Sequence, residues 1–219
     1  MNRYLLLLVL VASPLAAQQD SLMREAVRLV TEGRGDSARA LVRRRLATMQ
    51  AADSSYAEAL YTAGIVATDP DSAMRYLRRT GIEHSQSAWA DRALLRMAQM
   101  AFASGDIAAT FSSADRILTD YPFSTVRAQA AYWAGRAQID LGNLAGACRY
   151  LAVAADSAGE DVETANRARF YVQRCANLRN ASADSVRPDS ARRDSTGLPP
   201  ATPSPPAAAR SEPGAGAVH

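Results

Sequence analysis

The sequence predicts an all-α fold: a right-handed α-solenoid of helical hairpins, followed by a disordered C-terminal tail. Gly105 and Gly142 carry the pattern, because each follows a small residue, Ala98 or Gly135, by seven positions and separates two apolar helical stripes. A glycine between two such stripes is typical of the turn in a helical hairpin. Alanine supplies about a fifth of the 219 residues. This composition favours closely packed helices over strands, since Ala is the best helix former and takes little room.

Residues 1–17 have the order of a cleaved secretory signal peptide. A short positive start at Arg3 precedes an apolar run from Tyr4 to Ala12, and small residues follow as far as Ala17. The run is too short to span a bilayer in the mature protein, and no later segment is apolar for long enough. We therefore expect a soluble mature chain exported into a bacterial periplasm. An uncleaved membrane anchor is the alternative.

The helical period persists from residue 18 to residue 178, which we take as the repeat domain. Turn signals rich in Gly, Pro and Asp divide it, and Asp69 before Pro70 forms an N-cap and first-turn pair. We predict four hairpins at about 20–50, 54–84, 87–121 and 125–157, and a closing helix from about 162 to 178. The second hairpin is expected to be irregular, with a loose end from Gly81 to Ser87.

A register placed on the turn glycines predicts where the two helices of each hairpin meet. We assign Gly35, Gly105 and Gly142 to equivalent turns. In this register a small residue five positions after each glycine allows the second helix to approach the first. The residues at that position are Ala40, Thr110 and Ala147, and Thr110 is a mild departure from the pattern. Tyr132 and Trp133 follow in the fourth hairpin, and we expect Trp133 to be the more buried of the two.

The two cysteines, Cys148 and Cys175, are predicted to form a disulfide. Each lies on the apolar stripe of its helix, and the two helices are antiparallel neighbours. An oxidising compartment would allow the pair to form. The alternative is two buried thiols that act as small hydrophobic side chains. Metal binding has less support, because His84 and His219 are remote in sequence from both cysteines.

One stretch of about 25 residues resembles a known family. The strings that carry the resemblance are Tyr121-Pro122-Phe123-Ser124, Ala131-Tyr132-Trp133-Ala134-Gly135 and Leu141-Gly142-Asn143. They are similar to the periplasmic tetratricopeptide (TPR) domain of the Tol-Pal cell-envelope system and, more loosely, to the related domain of the outer-membrane assembly lipoproteins. The trimerising coiled coil of the first family and the lipidated cysteine of the second are not seen. The resemblance implies an envelope location and a role in holding other envelope proteins.

A protein-binding groove follows from the register, because the first helices of stacked hairpins line the concave side of such a solenoid. The residues predicted to face it are Arg92, Gln99, Gln129, Tyr132, Arg136 and Asp140. Arginines at these positions would bind carboxylates bidentately, and Tyr132 would offer a flat apolar contact. Solvent exposure or local ion pairing is the alternative for each residue.

Several function classes are not supported by any motif. Phosphate loops, His-x-x-x-His pairs and Cys-x-x-Cys motifs do not occur, and His84 has no partner in sequence beyond Ser85. We expect no catalysis, no cofactor and no metal. All 25 basic residues are arginine and are mixed with acidic ones, for a net charge of +3. Nucleic-acid binding is therefore not indicated, and Arg43-Arg44-Arg45 is read as a solvated helix face.

Residues 179–219 are rich in Pro, Ala and Ser and have few large apolar side chains, which predicts a disordered tail. Two functions remain. The first is a non-catalytic periplasmic scaffold whose groove binds an envelope protein in maintenance, outer-membrane assembly or division. The second is a wall-associated structural adaptor in which the tail carries the interaction, with peptidoglycan as a possible partner. The oligomeric state is not indicated by the sequence.

Overall fold

The computed structural model describes residues 21–186, with side chains from 22 to 177. The predicted signal peptide and residues 187–219 of the predicted tail lie outside the described residues. Within the described part every regular element is helical, which confirms the all-α prediction. The helices are α1 Ser21–Thr31, α2 Gly35–Ala47, α3 Tyr56–Val66, α4 Pro70–Arg78, α5 Ala90–Ala103, α6 Ile107–Asp120, α7 Arg127–Asp140, α8 Leu144–Ser157 and α9 Val162–Val186.

The helices pack as four consecutive hairpins. Each first helix contacts the second helix of its own hairpin, and each second helix contacts the first helix of the next. First helices also meet directly, α1 with α3 and α5 with α7. This contact order is that of a helical solenoid, in which each unit packs only on its neighbours. All four hairpins belong to one compact unit, which ends at Leu178.

The closing helix is longer than predicted, since α9 continues to Val186 and not to residue 178. Nothing between these positions stops a helix: Ala181 and Ala183 are good helix formers, and the first proline is Pro188. A proline disfavours helical geometry in the residue before it, and Val186, the last residue of α9 that the structure describes, comes two positions before Pro188.

Three turns between paired helices share one hydrogen-bonding pattern. Gly33, Gly105 and Gly142 have φ of 75°, 81° and 75°, the left-handed region that favours glycine. In the first turn the Arg34 N–H donates to the Leu29 carbonyl, and the other two turns repeat this bond. Gly33 is thus the equivalent of Gly105 and Gly142, and the predicted register on Gly35 is wrong by two residues.

The corrected register accounts for the close contacts between paired helices. The residues five positions after the three glycines are Ala38, Thr110 and Ala147, and all three are 0% exposed. Ala40, which we predicted to fill this place in the first hairpin, is only half-buried. A sequence with glycine at both 33 and 35 does not say which one takes positive φ. The structure decides it through the turn geometry.

The second hairpin is irregular in a different way from the one predicted. Asp69 caps α4 as expected, because its side chain accepts the Ser72 N–H at 2.7 Å. The chain after α4 is not loose, however: it forms a π-helical turn at Arg79–Glu83. Thr80 is fully buried there, and its hydroxyl donates to the Tyr76 carbonyl at 3.0 Å. Burial of Thr80 and Gly81 against the neighbouring helices keeps this segment ordered.

The predicted disulfide is present and joins α8 to α9. The Cys148 and Cys175 Cα atoms lie 5.9 Å apart, within the usual range for a disulfide. Cys175 is buried and Cys148 half-buried. The bond therefore holds the closing helix against the last hairpin.

Candidate functional site: a cavity between first helices

A cavity of about 400 Å³ opens between α3, α5 and the start of α7. It is lined by Tyr61, Ile65, Arg92, Leu95, Arg96, Gln99, Val126 and Gln129. Three of the six predicted groove residues, Arg92, Gln99 and Gln129, are brought together here. The cavity thus combines an apolar wall with two guanidinium groups and two amides.

Neither arginine of the cavity has a carboxylate partner within the described part of the chain. The Arg92 guanidinium lies over the Trp89 ring, 5.0 Å from its centroid, and donates to the Ala88 carbonyl at 3.3 Å. Arg96 donates to the Gln99 side-chain oxygen at 3.3 Å. Stacking on Trp89 holds Arg92 in place without neutralising it. Both charges are therefore available to a ligand.

The nearest carboxylate is already engaged in local structure. One oxygen of Asp91 accepts the Arg92 backbone N–H at 2.7 Å, and the other accepts the Ser124 hydroxyl at 2.6 Å. These bonds tie the start of α5 to the turn before α7. Asp91 therefore holds the edge of the cavity together and leaves the guanidinium of Arg92 unpaired.

Tyr61 forms the aromatic part of the wall. Its ring lies 5.1 Å from that of Trp89, centroid to centroid. Burial raises the pKa of Tyr61, although Arg92 and Arg96 act in the opposite direction. The phenol consequently stays protonated at neutral pH and presents a neutral hydroxyl beside the two arginines.

Gln129 is oriented from outside the cavity. Its amide donates to Asp161 at 2.9 Å, and Asp161 in turn accepts the Thr164 backbone N–H at 3.0 Å and hydroxyl at 2.7 Å. These hydrogen bonds lower the pKa of Asp161, with the Thr164 N–H the largest cause. The closing helix thus helps to position one residue of the cavity wall.

Tyr132 and Arg136 do not line this cavity. Tyr132 is only 7% exposed, and Arg136 lies between the Phe102 and Tyr171 rings, 5.1 Å from each centroid. The Arg136 guanidinium also donates to the Tyr132 hydroxyl at 3.2 Å. Tyr171 belongs to α9, so the closing helix covers both side chains.

The prediction that Trp133 is more buried than Tyr132 is wrong. Tyr132 is buried, whereas Trp133 is only partly buried. Trp133 packs on Phe102 at the edge of the core, with ring centroids 5.1 Å apart. The last predicted groove residue, Asp140, is exposed at the end of α7. Neither Tyr132 nor Asp140 is brought to the cavity.

Five residues of the cavity were not predicted: Tyr61, Ile65, Leu95, Arg96 and Val126. The helical period would have found Arg96, which follows Arg92 by one turn on the same face. Tyr61 and Ile65 belong to α3, in the irregular hairpin where no register was assigned. Their position depends on how α3 packs against α5.

The described residues hold no group of three or more His, Cys, Asp or Glu side chains that would suit a metal ion. His84 packs edge-on against Tyr56, with ring centroids 5.5 Å apart.

Among the helices that the structure describes, none has the length and apolar character needed to cross a membrane.

The repeated hairpins and their glycine turns define the fold: an all-α solenoid of tetratricopeptide-like hairpins. No protein-family model matches the sequence, and no curated protein matches it. Among solved structures, the chain is similar to MamA, with 18% sequence identity and a TM-score of 0.45. That similarity covers 73% of this chain and 96% of MamA.

Proposed function

We propose that this protein is a non-catalytic scaffold that binds a segment of another protein in the cavity between α3, α5 and α7. One observation carries the proposal: two positioned arginines, with no carboxylate partner among the described residues, lie beside the apolar wall formed by Tyr61, Leu95 and Val126. Helical-repeat solenoids expose extended surfaces of this kind and use them to hold partners.

The chemistry of the cavity favours a segment that carries carboxylates next to an apolar side chain. Guanidinium groups bind carboxylates through paired, charge-assisted hydrogen bonds. Gln99 and Gln129 supply further donors and acceptors at the rim. The apolar wall would receive an aliphatic or aromatic side chain of the same segment and exclude water from the ion pairs.

We further propose that the scaffold acts in the periplasm of a bacterium, in envelope maintenance, outer-membrane assembly or division. The support comes from the signal-like segment 1–17 and from the Tol-Pal-like strings between Tyr121 and Asn143. A disulfide between α8 and α9 agrees with an oxidising compartment.

The second candidate is a wall-associated adaptor in which residues 179–219 carry the interaction, with peptidoglycan as the ligand. The proline-rich composition of this segment favours it. In that case the hairpins would serve as a rigid spacer and the arginines of the cavity would not matter for binding.

In-cell crosslinking followed by pull-down distinguishes the scaffold that binds through its cavity from the adaptor that binds through its tail. We would compare the full chain, a chain lacking residues 187–219, and the variant Arg92→Gln/Arg96→Gln. The matched control is Arg78→Gln/Arg149→Gln, which removes two exposed arginines outside the cavity. The partner's affinity is then measured with purified proteins.

Under the groove proposal the tail deletion retains the partner, and the cavity variant binds it roughly tenfold or more weakly, about 1.4 kcal/mol. The control variant binds as the unchanged chain does. Recovery of wall fragments that depends on the tail, with no effect of the cavity variant, would favour the adaptor.

A further inference from the structure

The first hairpin, α1 with α2, differs from the rest of the solenoid in charge. Residues 21–50 hold seven arginines and three carboxylates, a net charge of +4. Residues 51–177 hold twelve arginines and fourteen carboxylates, a net charge of −2. The positive charge of the repeat domain is therefore concentrated at one end.

Pairing within the hairpin leaves this excess in one place. Arg28 pairs with Glu25 and Glu32, and Arg39 pairs with Asp36. All three carboxylates of the hairpin are therefore engaged. Next along α2 come Arg43, Arg44 and Arg45, which are exposed and whose guanidinium groups have no ion pair or hydrogen bond among the described residues.

These three consecutive arginines lie on the exposed side of α2. Arg43 lies with Arg39 at the rim of a cavity of about 300 Å³, between α2 and the start of α4. Its floor is apolar and is formed by Val42, Leu46, Ala63, Val66 and Tyr76. Arg44 opens onto a second cavity of about 360 Å³ between α2 and α1, where Arg34, Arg28 and its ion-pair partner Glu25 also lie. Arginine side chains therefore line a cavity on each side of α2.

We propose that the first hairpin docks on an anionic phospholipid surface through Arg43, Arg44 and Arg45. Each guanidinium presents a planar fork of donors that matches the oxygens of a phosphate group. Juxtaposed arginines whose guanidinium groups have no partner in the described part of the chain are attracted to the negative potential of anionic headgroups. The cavity at Arg43 suits an amphiphile, because Arg39 and Arg43 outnumber the one carboxylate at its rim, Asp69, and its floor is apolar.

Nucleic acid fits this surface less well. Residues 21–50 contain no Phe, Tyr or Trp on which a base could stack. The only aromatic side chain at the first cavity is Tyr76, which lies in the apolar floor and is half-buried. Asp69, at the same rim, already accepts the Ser72 N–H as the cap of α4 and adds a negative charge there.

The surface is distinct from the cavity between α3, α5 and α7. One face would hold a protein segment, and the basic end would place the scaffold at a bilayer. Lipid binding does not require the protein partner. Each can be tested without the other.

Vesicle co-sedimentation of the full chain tests the proposal. The vesicles are pure phosphatidylcholine or phosphatidylcholine mixed with phosphatidylglycerol, at low and high salt. The test variant is Arg43→Gln/Arg44→Gln/Arg45→Gln. The matched control is Arg78→Gln/Arg149→Gln/Arg169→Gln, which removes the same charge from exposed arginines scattered over other helices. Far-UV circular dichroism on heating verifies that both variants keep the fold.

The full chain should bind the mixed vesicles more tightly than the zwitterionic ones, and salt should weaken that binding. An apolar N-terminal segment would bind both vesicle types, so the difference between them reports the charges. The test variant should lose roughly 100-fold in affinity for the mixed vesicles, at about 1 kcal/mol per arginine. The scattered control should lose much less.

Three results would overturn the proposal. The first is no preference of the unchanged chain for the anionic vesicles. The second is an equal loss in the scattered control, which would mean that only net charge matters. The third is tighter binding to a single-stranded oligonucleotide than to the mixed vesicles, lost in the test variant, which would make nucleic acid the ligand of these arginines.

Discussion

Leu151 packs directly on the backbone of Gly135, and this contact sets the spacing of the last hairpin. A Cβ atom at Gly135 would lie 2.6 Å from the Leu151 Cγ atom, and Leu151 is fully buried. The second hairpin repeats this arrangement with Gly64 and Leu77. A Cβ atom at Gly64 would lie 2.8 Å from the Leu77 Cγ atom. In both hairpins a glycine in the first helix receives a leucine from the second.

We expect Gly135→Ala to destabilise the protein by up to about 2 kcal/mol. Overpacking costs about 1 to 3 kcal/mol, and the higher helix propensity of Ala offsets about 1 kcal/mol of it. Urea denaturation measures the change. In a Leu151→Ala background the same substitution should be neutral or stabilising, because the clash is gone while the propensity gain remains. An equal loss in both backgrounds would rule out the steric explanation.

At the scale of the element, the start of α9 depends on one carboxylate. Asp161 accepts the Thr164 N–H and hydroxyl together with the Gln129 amide, so it caps α9 and connects that helix to α7. Because these bonds favour the charged form, the pKa of Asp161 is lowered. A lowered pKa in the folded state means that the stabilisation is present at neutral pH and is lost as the pH falls through that pKa.

Asp161→Ala should therefore cost about 1 kcal/mol at neutral pH, the usual cost of losing an N-cap. The gap between the variant and the unchanged protein should shrink as the pH falls below 3.8, the ordinary pKa of an aspartyl carboxyl, and through the lowered pKa of Asp161. Urea denaturation at a series of pH values, from neutral to acid, measures the gap. Asp156→Ala, an exposed position at the end of α8, is the control and should show no such gap. A gap that stays constant with pH would mean that the charge of Asp161 does not contribute.

At the scale of the whole molecule, the disulfide should act locally. The bond spans 27 residues, and closing such a loop stabilises a protein by about 3.5 kcal/mol in the chain-entropy model. In a solenoid each hairpin contacts only its neighbours. Loss of one bond therefore lowers the stability of the adjacent hairpins more than that of distant ones. The Cys148–Cys175 bond joins only the last two helices.

Reduction with a dithiol should therefore speed amide hydrogen exchange in α8 and α9, with α1 to α4 little changed. Mass spectrometry of peptic fragments measures the exchange of each helix. A Cys148→Ser/Cys175→Ser variant, which has no bond to reduce, should give the same pattern with and without the dithiol. An increase spread evenly over all helices would contradict local action and indicate that the solenoid unfolds as one unit.

Much of this fold can be read from local sequence. Turn glycines, apolar stripes and Asp69 before Pro70 indicate the hairpins, because the signals act within a few residues of each other. The pairing of Cys148 with Cys175 also follows, since the two positions lie on facing stripes of adjacent helices. Two errors arose where local signals are ambiguous: from the sequence either Gly33 or Gly35 could take the positive φ of the turn, and nothing between residue 178 and Pro188 ends a helix.

The sequence by itself determined the helical class, the order of the hairpins and the residues of the disulfide, because these depend on helix period and turn chemistry. The tertiary structure decided which side chains are available. Packing of α9 covers Tyr132 and Arg136, whereas Tyr61 and Ile65 of α3 line one cavity together with Arg92 and Arg96 of α5. Whether a polar residue on a helix is free to bind depends on the helices that pack against it, and these contacts join residues far apart in the chain.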